Sequence, residues 1–250
     1  MVDVLDFSSF GENLNVAVFG ATGGIGAVLC KRLSESPSVS KVFTFSKRDS
    51  RSKHSKEVWH SFDLKDEKKI LNAVSTFTSA PDIVFVATGM LHNDDLGIRP
   101  EKALAHLEPD AAIEAFKVNT LGPMLIAKHV FPLFPRDKKC AFAAISARVG
   151  SISDNQLGGW YSYRTAKAGL NQMIRTAAIE LRRKNRQAVC VAFHPGTVDT
   201  GLSKRFQGNI PANKLFTPEF SATSMLNALN HMNGEHSGRL YTWNGDEIFP

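Results

Sequence analysis

The stretch GGWYSYRTAK, residues 158–167, places Tyr163 four residues before Lys167. On a helix both side chains fall on one face, one turn apart. Tyr161 has Thr165 at the same offset and no such partner. A free phenol has a pKa of about 10, so it is a poor base at neutral pH. A lysine ammonium one turn away favours the phenolate and is expected to lower that value. A phenol tuned in this way can give a proton to an oxygen atom or take one back.

A helix carrying such a pair needs a scaffold, and the hydrophobic pattern describes one. Near-continuous apolar runs at 15–20, 41–46, 82–87, 140–146 and 188–194 read as strands buried on both faces of a parallel sheet. Weaker strands are predicted at 58–63 and 239–243. Helices are predicted between them at 24–34, at 64–79 opening on Asp63, at 110–131 after Pro109, at 160–184, and at 218–232, where Pro218 suits a first turn. The alternation implies an α/β fold, a single-domain doubly wound Rossmann-type parallel sheet flanked by helices. At 250 residues and 43% hydrophobic content the chain can bury a full core, and no repeat or low-complexity linker divides it.

Composition narrows the function classes. The net charge of +6 is spread along the chain, and its densest run, LRRKNR at 181–186, falls at a predicted helix C-terminus. Cations are favourable there, so no nucleic-acid partner is expected. Cys30, Cys140 and Cys190 lie in apolar stretches without paired spacing and read as reduced, buried thiols. The N-terminus lacks the pattern of a signal peptide, and no apolar run approaches the roughly 20 residues of a membrane helix. A soluble, cytoplasmic protein with no membrane partner is expected. His92, Asp94 and Asp95 share one loop and read as solvated, so no metal is expected. His194, before Pro195 at a strand end, reads as structural.

The first strand runs into GATGGIG, with Gly20, Thr22, Gly24, Ile25 and Gly26, and a helix follows at once. Glycines there let the backbone approach a pyrophosphate at a helix N-terminus, which points to a dinucleotide. The spacing is not G-x-G-x-x-G, since Leu29 follows Gly26 by three, and no Gly-Lys-Ser/Thr marks a P-loop. The second strand runs into Ser46, Lys47 and Arg48, with no carboxylate before Asp49. An acid in that region would bind the free ribose hydroxyls of NAD, whereas a base accommodates a 2′-phosphate; NADP(H) is therefore the expected cofactor.

With this turn, the later Tyr-x-x-x-Lys and the interval between them, residues 15 to about 202 resemble the short-chain dehydrogenase/reductase family. GATGGIG matches the family's G-x-x-x-G-x-G turn, and FDL matches the acidic position near the adenine, here Asp63 followed by Leu64. VNTLGP matches the helix segment carrying a catalytic asparagine, here Asn119. PGTVDT, with Pro195, Gly196, Val198 and Thr200, matches the turn over the nicotinamide. ATGM, with Ala87, Thr88 and Gly89, departs from the Asn-Asn-Ala-Gly of many relatives but keeps the glycine. Within the family, residues 145–172 are most similar to the carbonyl-reductase-like group that includes the sniffer and C-factor proteins.

The resemblance implies hydride transfer between NADP(H) and a small-molecule carbonyl or alcohol, with Tyr163 as general acid or base. It implies that Lys167 holds the nicotinamide ribose and that Asn119 anchors a water-linked proton path. Relatives also use a serine, the second of two small residues after the fifth strand, to polarise the carbonyl. Here the pair is Ser146-Ala147, so that slot holds alanine. Ser146, which ends the strand, is the expected hydroxyl; Ser151 or no serine at all are the alternatives.

Residues 15–200 are thereby the expected cofactor-binding and catalytic core, and 201–235 the substrate-lid region, with Phe206, Ile210, Leu215 and Phe216 as apolar lining. Lys204 and Arg205 would meet an anion or face solvent, and Trp160 and Tyr161 would flank the cleft or pack a subunit contact. The helices at 110–131 and 160–184 resemble those that pair relatives into homodimers or homotetramers. A second reading, from Ala147 and the altered ATGM turn, is a non-catalytic NADP(H)-binding signalling or scaffold protein.

Overall fold

The computed structural model describes residues 5–48, 54–208 and 210–250. Asp49, beside the basic turn, and Asn209, within the lid segment, fall outside them. In chain order the elements are β1 (Leu14–Phe19), α1 (Gly24–Glu35), β2 (Val39–Ser46), β3 (Glu57–Ser61), α2 (Glu67–Val74), β4 (Ile83–Val86), α3 (Pro109–Phe116), α4 (Gly122–Val130), β5 (Ala141–Ile145), α5 (Tyr161–Lys184), β6 (Val189–His194), β7 (Thr197–Val198), β8 (Leu215–Phe216), α6 (Pro218–His231), β9 (Leu240–Thr242) and β10 (Glu247–Ile248).

Eight strands form one sheet in the order β10-β9-β6-β5-β4-β1-β2-β3, parallel throughout except for β10. Among the described residues, the remaining two, β7 and β8, pair only with each other. The apolar runs are buried on both faces because each face carries helices. Phe19, Phe43, Phe45, Val84 and Phe142 pack with α2, α4 and α5 residues such as Ile70, Ile126 and Leu170. Val16, Val18, Val42, Phe85 and Val191 pack with Leu29 and Leu33 of α1 and Leu226 and Leu229 of α6. The strand order reverses between β1 and β4, so the crevice beyond their C-terminal ends is the place where such sheets bind ligands.

Two helices differ from the sequence reading. The helix expected to open on Asp63 starts three residues later, because Asp66 is the cap: its carboxylate accepts from the Lys68 and Lys69 N–H groups at 3.0 and 3.3 Å. Asp63 instead closes a tight turn on the Lys65 N–H at 3.1 Å. That helix also stops at Val74, where the Ser75 and Thr76 hydroxyls donate back to the Asn72 and Ala73 carbonyls. The helix expected over 110–131 is broken into α3 and α4 by a π-helical turn at Lys117–Leu121. Its cause is local: the Asn119 side-chain amide donates to the Ala115 carbonyl at 3.0 Å, the acceptor that a regular helix reserves for the Asn119 backbone N–H.

Candidate active site

A cleft of about 560 Å³ opens over the C-terminal ends of β1, β4, β5 and β6. Its walls are residues 22–25, 87–89, 145–149, Trp160, Tyr163, Lys167, 194–198, and Thr200, Leu202 and Phe206 from the lid side. The strands aim the site because each ends in a turn that enters this crevice.

Between β1 and α1 the chain turns at Gly20, with φ +88°, where a Cβ would come within 2.9 Å of the Ala87 backbone. A Cβ on Gly26 would run into the Gly20 carbonyl oxygen, and one on Gly24 would fill the space against Thr200. The absent side chains leave a backbone cradle at the start of α1. Opposite it, the Thr88 hydroxyl is buried without a hydrogen-bond partner among the described residues. A buried orphan of this kind in a cleft wall suits a polar ligand.

Tyr163 and Lys167 are both buried in the same wall. The Lys167 ammonium donates to the Ile145 carbonyl at 2.9 Å and lies 5.7 Å from the Tyr163 ring centre. Their electrostatics run against expectation. Burial pushes the Tyr163 phenol above its ordinary value and pushes Lys167 down to about 7. Both charged forms lose water in the cleft, and a lysine that is half neutral near pH 7 stabilises a phenolate weakly. The protein's own groups therefore hold Tyr163 as a proton-bearing phenol.

Asn119 is fully buried on the π-helical turn. Its amide donates to Met90 O at 2.8 Å as well as to Ala115 O, and its carbonyl accepts from Met90 N at 3.0 Å. It pins the ATGM turn from behind, supplying hydrogen bonds to a segment that lacks the usual asparagines. The next residue, Thr120, donates from its hydroxyl to Ala166 O at 2.6 Å and ties the turn to α5.

Ser146 lies in the cleft wall, but its hydroxyl donates to Asn171 Oδ1 of α5 at 2.7 Å. Ser151 is farther off, donating to the Phe249 carbonyl at 2.6 Å. Ala147 lines the cleft. His194, read from sequence as structural, also lines it; burial, with help from Arg148, pushes its imidazole down to about 4, and its Nδ1 has no partner among the described residues. No sequence signal separates such a ring from an ordinary strand-end histidine.

The remaining expected cofactor residues sit outside the cleft lining, around the β2–β3 edge. The Ser46 hydroxyl donates to the Arg48 carbonyl, and the Trp59 indole N–H donates to Ser46 Oγ at 3.0 Å and to Arg48 O at 3.1 Å. Lys47 pairs with Asp63 at 3.2 Å. Burial would raise the Asp63 carboxyl, yet the Lys65 N–H and the Lys47 ammonium hold it below its ordinary range. Arg48 makes no ion pair with a described residue and is exposed. Leu64 packs on Gly122, which has no room for a Cβ. Trp59 was missed because its partner lies 13 residues away across a strand pair.

From the segment after β7, Arg205 pairs with Asp94, and Phe206 meets the His92 ring at 6.1 Å. The loop acid and histidine are thus engaged by that segment. Among the described residues no group of three or more His, Cys, Asp or Glu side chains could hold a metal ion, and no helix is long and apolar enough to cross a membrane.

The family model for short chain dehydrogenases matches residues 14–210. The chain belongs to the short chain dehydrogenase family. It is 32% identical over 146 residues to the C-signal protein of Myxococcus xanthus, covering 58% of this chain and 82% of that one. It is 31% identical over 159 residues to 1-hydroxy-2-glutathionyl-2-methyl-3-butene dehydrogenase of Rhodococcus sp. (strain AD45), 64% of each chain. Among solved structures, the NADPH-bound carbonyl reductase from chicken fatty liver superposes with a TM-score of 0.82 at 23% identity, over 96% of this chain and 95% of that one. Carbonyl reductase Sniffer of D. melanogaster gives 0.80 at 20% identity, over 96% and 100%. At these identities the structural likeness speaks for the fold; the family membership of this oxidoreductase-type chain rests on the sequence match.

Proposed function

We propose that this short chain dehydrogenase is an NADP(H)-dependent carbonyl reductase, running alcohol oxidation in reverse. The observation that carries the reading is the buried Tyr163–Lys167 pair in the wall of the cleft, across from the glycine cradle. The cradle left open at Gly24 and the orphaned Thr88 hydroxyl fit a dinucleotide. Residues 22–25 would hold its pyrophosphate, Asp63 and Leu64 its adenine side, Ala87, Thr88 and Gly89 the adenosine, and Arg48, with Lys47 and Ser46, a 2′-phosphate. Pro195, Gly196, Val198 and Thr200 would cover the nicotinamide, and Lys167 its ribose. When bound, the cofactor supplies or accepts hydride at the substrate carbon. Relatives fit the reading: the chicken reductase carries NADPH, and a Bacillus cereus protein 26% identical over 235 residues is a benzil reductase.

The protein's own part is proton delivery. Tyr163 bears its proton at neutral pH and would place it on the carbonyl oxygen. Lys167, fixed on Ile145 O, sets the ring's surroundings, Asn119 holds the Met90 turn behind it, and Thr120 ties the π-helical turn to α5. Ser146 reaches a substrate only by leaving Asn171, so its contribution is smaller than that of the phenol. The lid contacts Arg205–Asp94 and Phe206–Trp160 would exclude water. The exposed Ile113 and Ile179, with Leu121 of the π-helical turn, support a homo-oligomer through α3 and α5, and three buried free thiols suit the cytoplasm.

The test is Tyr163→Phe. Turnover of carbonyl substrates should fall by about a hundredfold or more while the NADPH dissociation constant stays within twofold of wild type. A phenylalanine variant with normal turnover would sink the assignment.

A further inference from the structure

The entry to the catalytic helix is built in an unusual way. Gly158, Gly159 and Trp160 are three successive left-handed residues, with φ of +63°, +65° and +53°. Glycine adopts that conformation freely, but a bulky side chain there is an outlier. Among the described residues Asn13 is the other non-glycine with positive φ, and asparagine tolerates it.

The surroundings over-determine this turn. The Trp160 N–H donates to Glu101 O at 2.6 Å, and the buried Glu101 carboxylate accepts from the Ser162 N–H at 3.2 Å and from the Ser162 hydroxyl. Arg164 donates to the Gly159, Gly158 and Val149 carbonyls at 3.0, 3.2 and 3.4 Å. Backbone strain that is held so firmly marks a side chain whose position matters.

That side chain is in the cleft wall. The indole meets the Tyr163 ring edge-on, with centres 6.2 Å apart at 75°, and the lid's Phe206 at 5.2 Å and 64°. Around it the wall is apolar, with Leu91, Val149, Leu202 and Ile210. Of the lysines and arginines among the described residues that line the cleft, Arg148 pairs with Asp154 at 3.5 Å and Lys167 donates to Ile145 O at 2.9 Å, while Arg205 beside it pairs with Asp94. An anionic substrate would have to compete for these contacts, whereas a flat apolar ring finds an aromatic face beside the phenol.

We propose that Trp160 is the specificity-determining residue of the cleft, and that the substrate is an uncharged aldehyde or ketone carrying a planar aromatic group that lies against the indole. This rests on the carbonyl-reductase reading for its chemistry, with Tyr163 as the proton donor to the carbonyl that the indole helps to place.

The experiment compares phenyl methyl ketone with cyclohexyl methyl ketone, which matches it in size without being flat. Both kcat/KM with NADPH and equilibrium binding to the NADP⁺-loaded protein, by ligand-observed NMR, are measured for wild type, Trp160→Gly and Trp160→Phe. Glycine accepts the left-handed conformation, so that variant keeps the backbone of the turn, and a single cooperative melt shows that it is folded. Wild type should favour the phenyl ketone roughly tenfold; Trp160→Gly should bring the ratio close to one, and Trp160→Phe should restore most of it. The NADPH dissociation constant should not move in any of the three. A Trp160→Gly variant that keeps the wild-type ratio, or a wild type that shows none, overturns the inference. Preferential binding of the phenyl ketone without turnover would uphold the aromatic site and overturn the reductase reading instead.

Discussion

The two ends of the ligand crevice are built on different principles. At the end that holds Tyr163 the polar groups that set the geometry are buried and hydrogen-bonded: Asn119 to Met90 and Ala115, Lys167 to Ile145, Glu101 to the start of α5. At the β2–β3 edge the groups are charged and exposed, and Trp59, Ser46 and the Arg48 carbonyl hold only the backbone of the turn. Under the proposed function, the geometry for proton transfer would be secured by desolvated hydrogen bonds that are costly to break, and discrimination between cofactors would rest on exposed charge, which can change with little effect on the fold.

Asn119→Ala should break the contrast most visibly. It leaves the half-buried Met90 N–H and carbonyl without these partners, costing about 1–3 kcal/mol and lowering Tm by roughly 3–10 °C in a thermal melt. A melt within a degree of wild type would show that the buried network does not carry the site. Arg48→Glu should do the reverse, weakening NADPH against NADH by roughly tenfold or more with Tm unchanged, and the effect should shrink in high salt. Equal loss for both nucleotides would remove Arg48 from the 2′-phosphate.

Lys167→Met sharpens the comparison through pH. Its folded value of about 7 lies below the ordinary 10.5, so the buried ammonium costs stability in full below pH 7 and progressively less as pH rises towards 10.5. Without added nucleotide, the variant should therefore melt a few degrees higher than wild type at pH 6, with the gain shrinking by pH 9. A gain that grows with pH would contradict the assignment. Ser146→Ala should have the smallest effect, less than about tenfold in kcat/KM, because the hydroxyl is engaged by Asn171. A loss as large as that of Tyr163→Phe would return the serine to the reacting centre.

Much of the fold was legible because its signals are local. Runs such as NVAVFG and DIVFVA are apolar throughout because both faces of the sheet are covered, and Gly26 answers to Gly20 within its own turn, although Gly20 and Gly24 also answer to Ala87 and Thr200 far along the chain. The Tyr163–Lys167 spacing was equally local. What escaped depends on distant partners. Asn119 meets a backbone 29 residues away, and nothing in VNTLGP announces the π-helical turn it makes. The electrostatic reversal at Tyr163 depends on burial, which spacing does not report. Asp63 and Asp66 offer the same capping chemistry three residues apart, and the neighbouring turn decides between them. Trp160 was visible as a residue near the cleft, but its left-handed backbone required Glu101 and Arg164 to be in place.

The most direct test of the account is titration of the purified protein with NADPH and NADH, followed by absorbance at the reduced-nicotinamide band with aldehydes and ketones added. The account predicts tighter binding of NADPH and its consumption when an aromatic carbonyl is present. Binding of neither nucleotide would contradict the reading of the glycine cradle, and with it the function proposed for Tyr163.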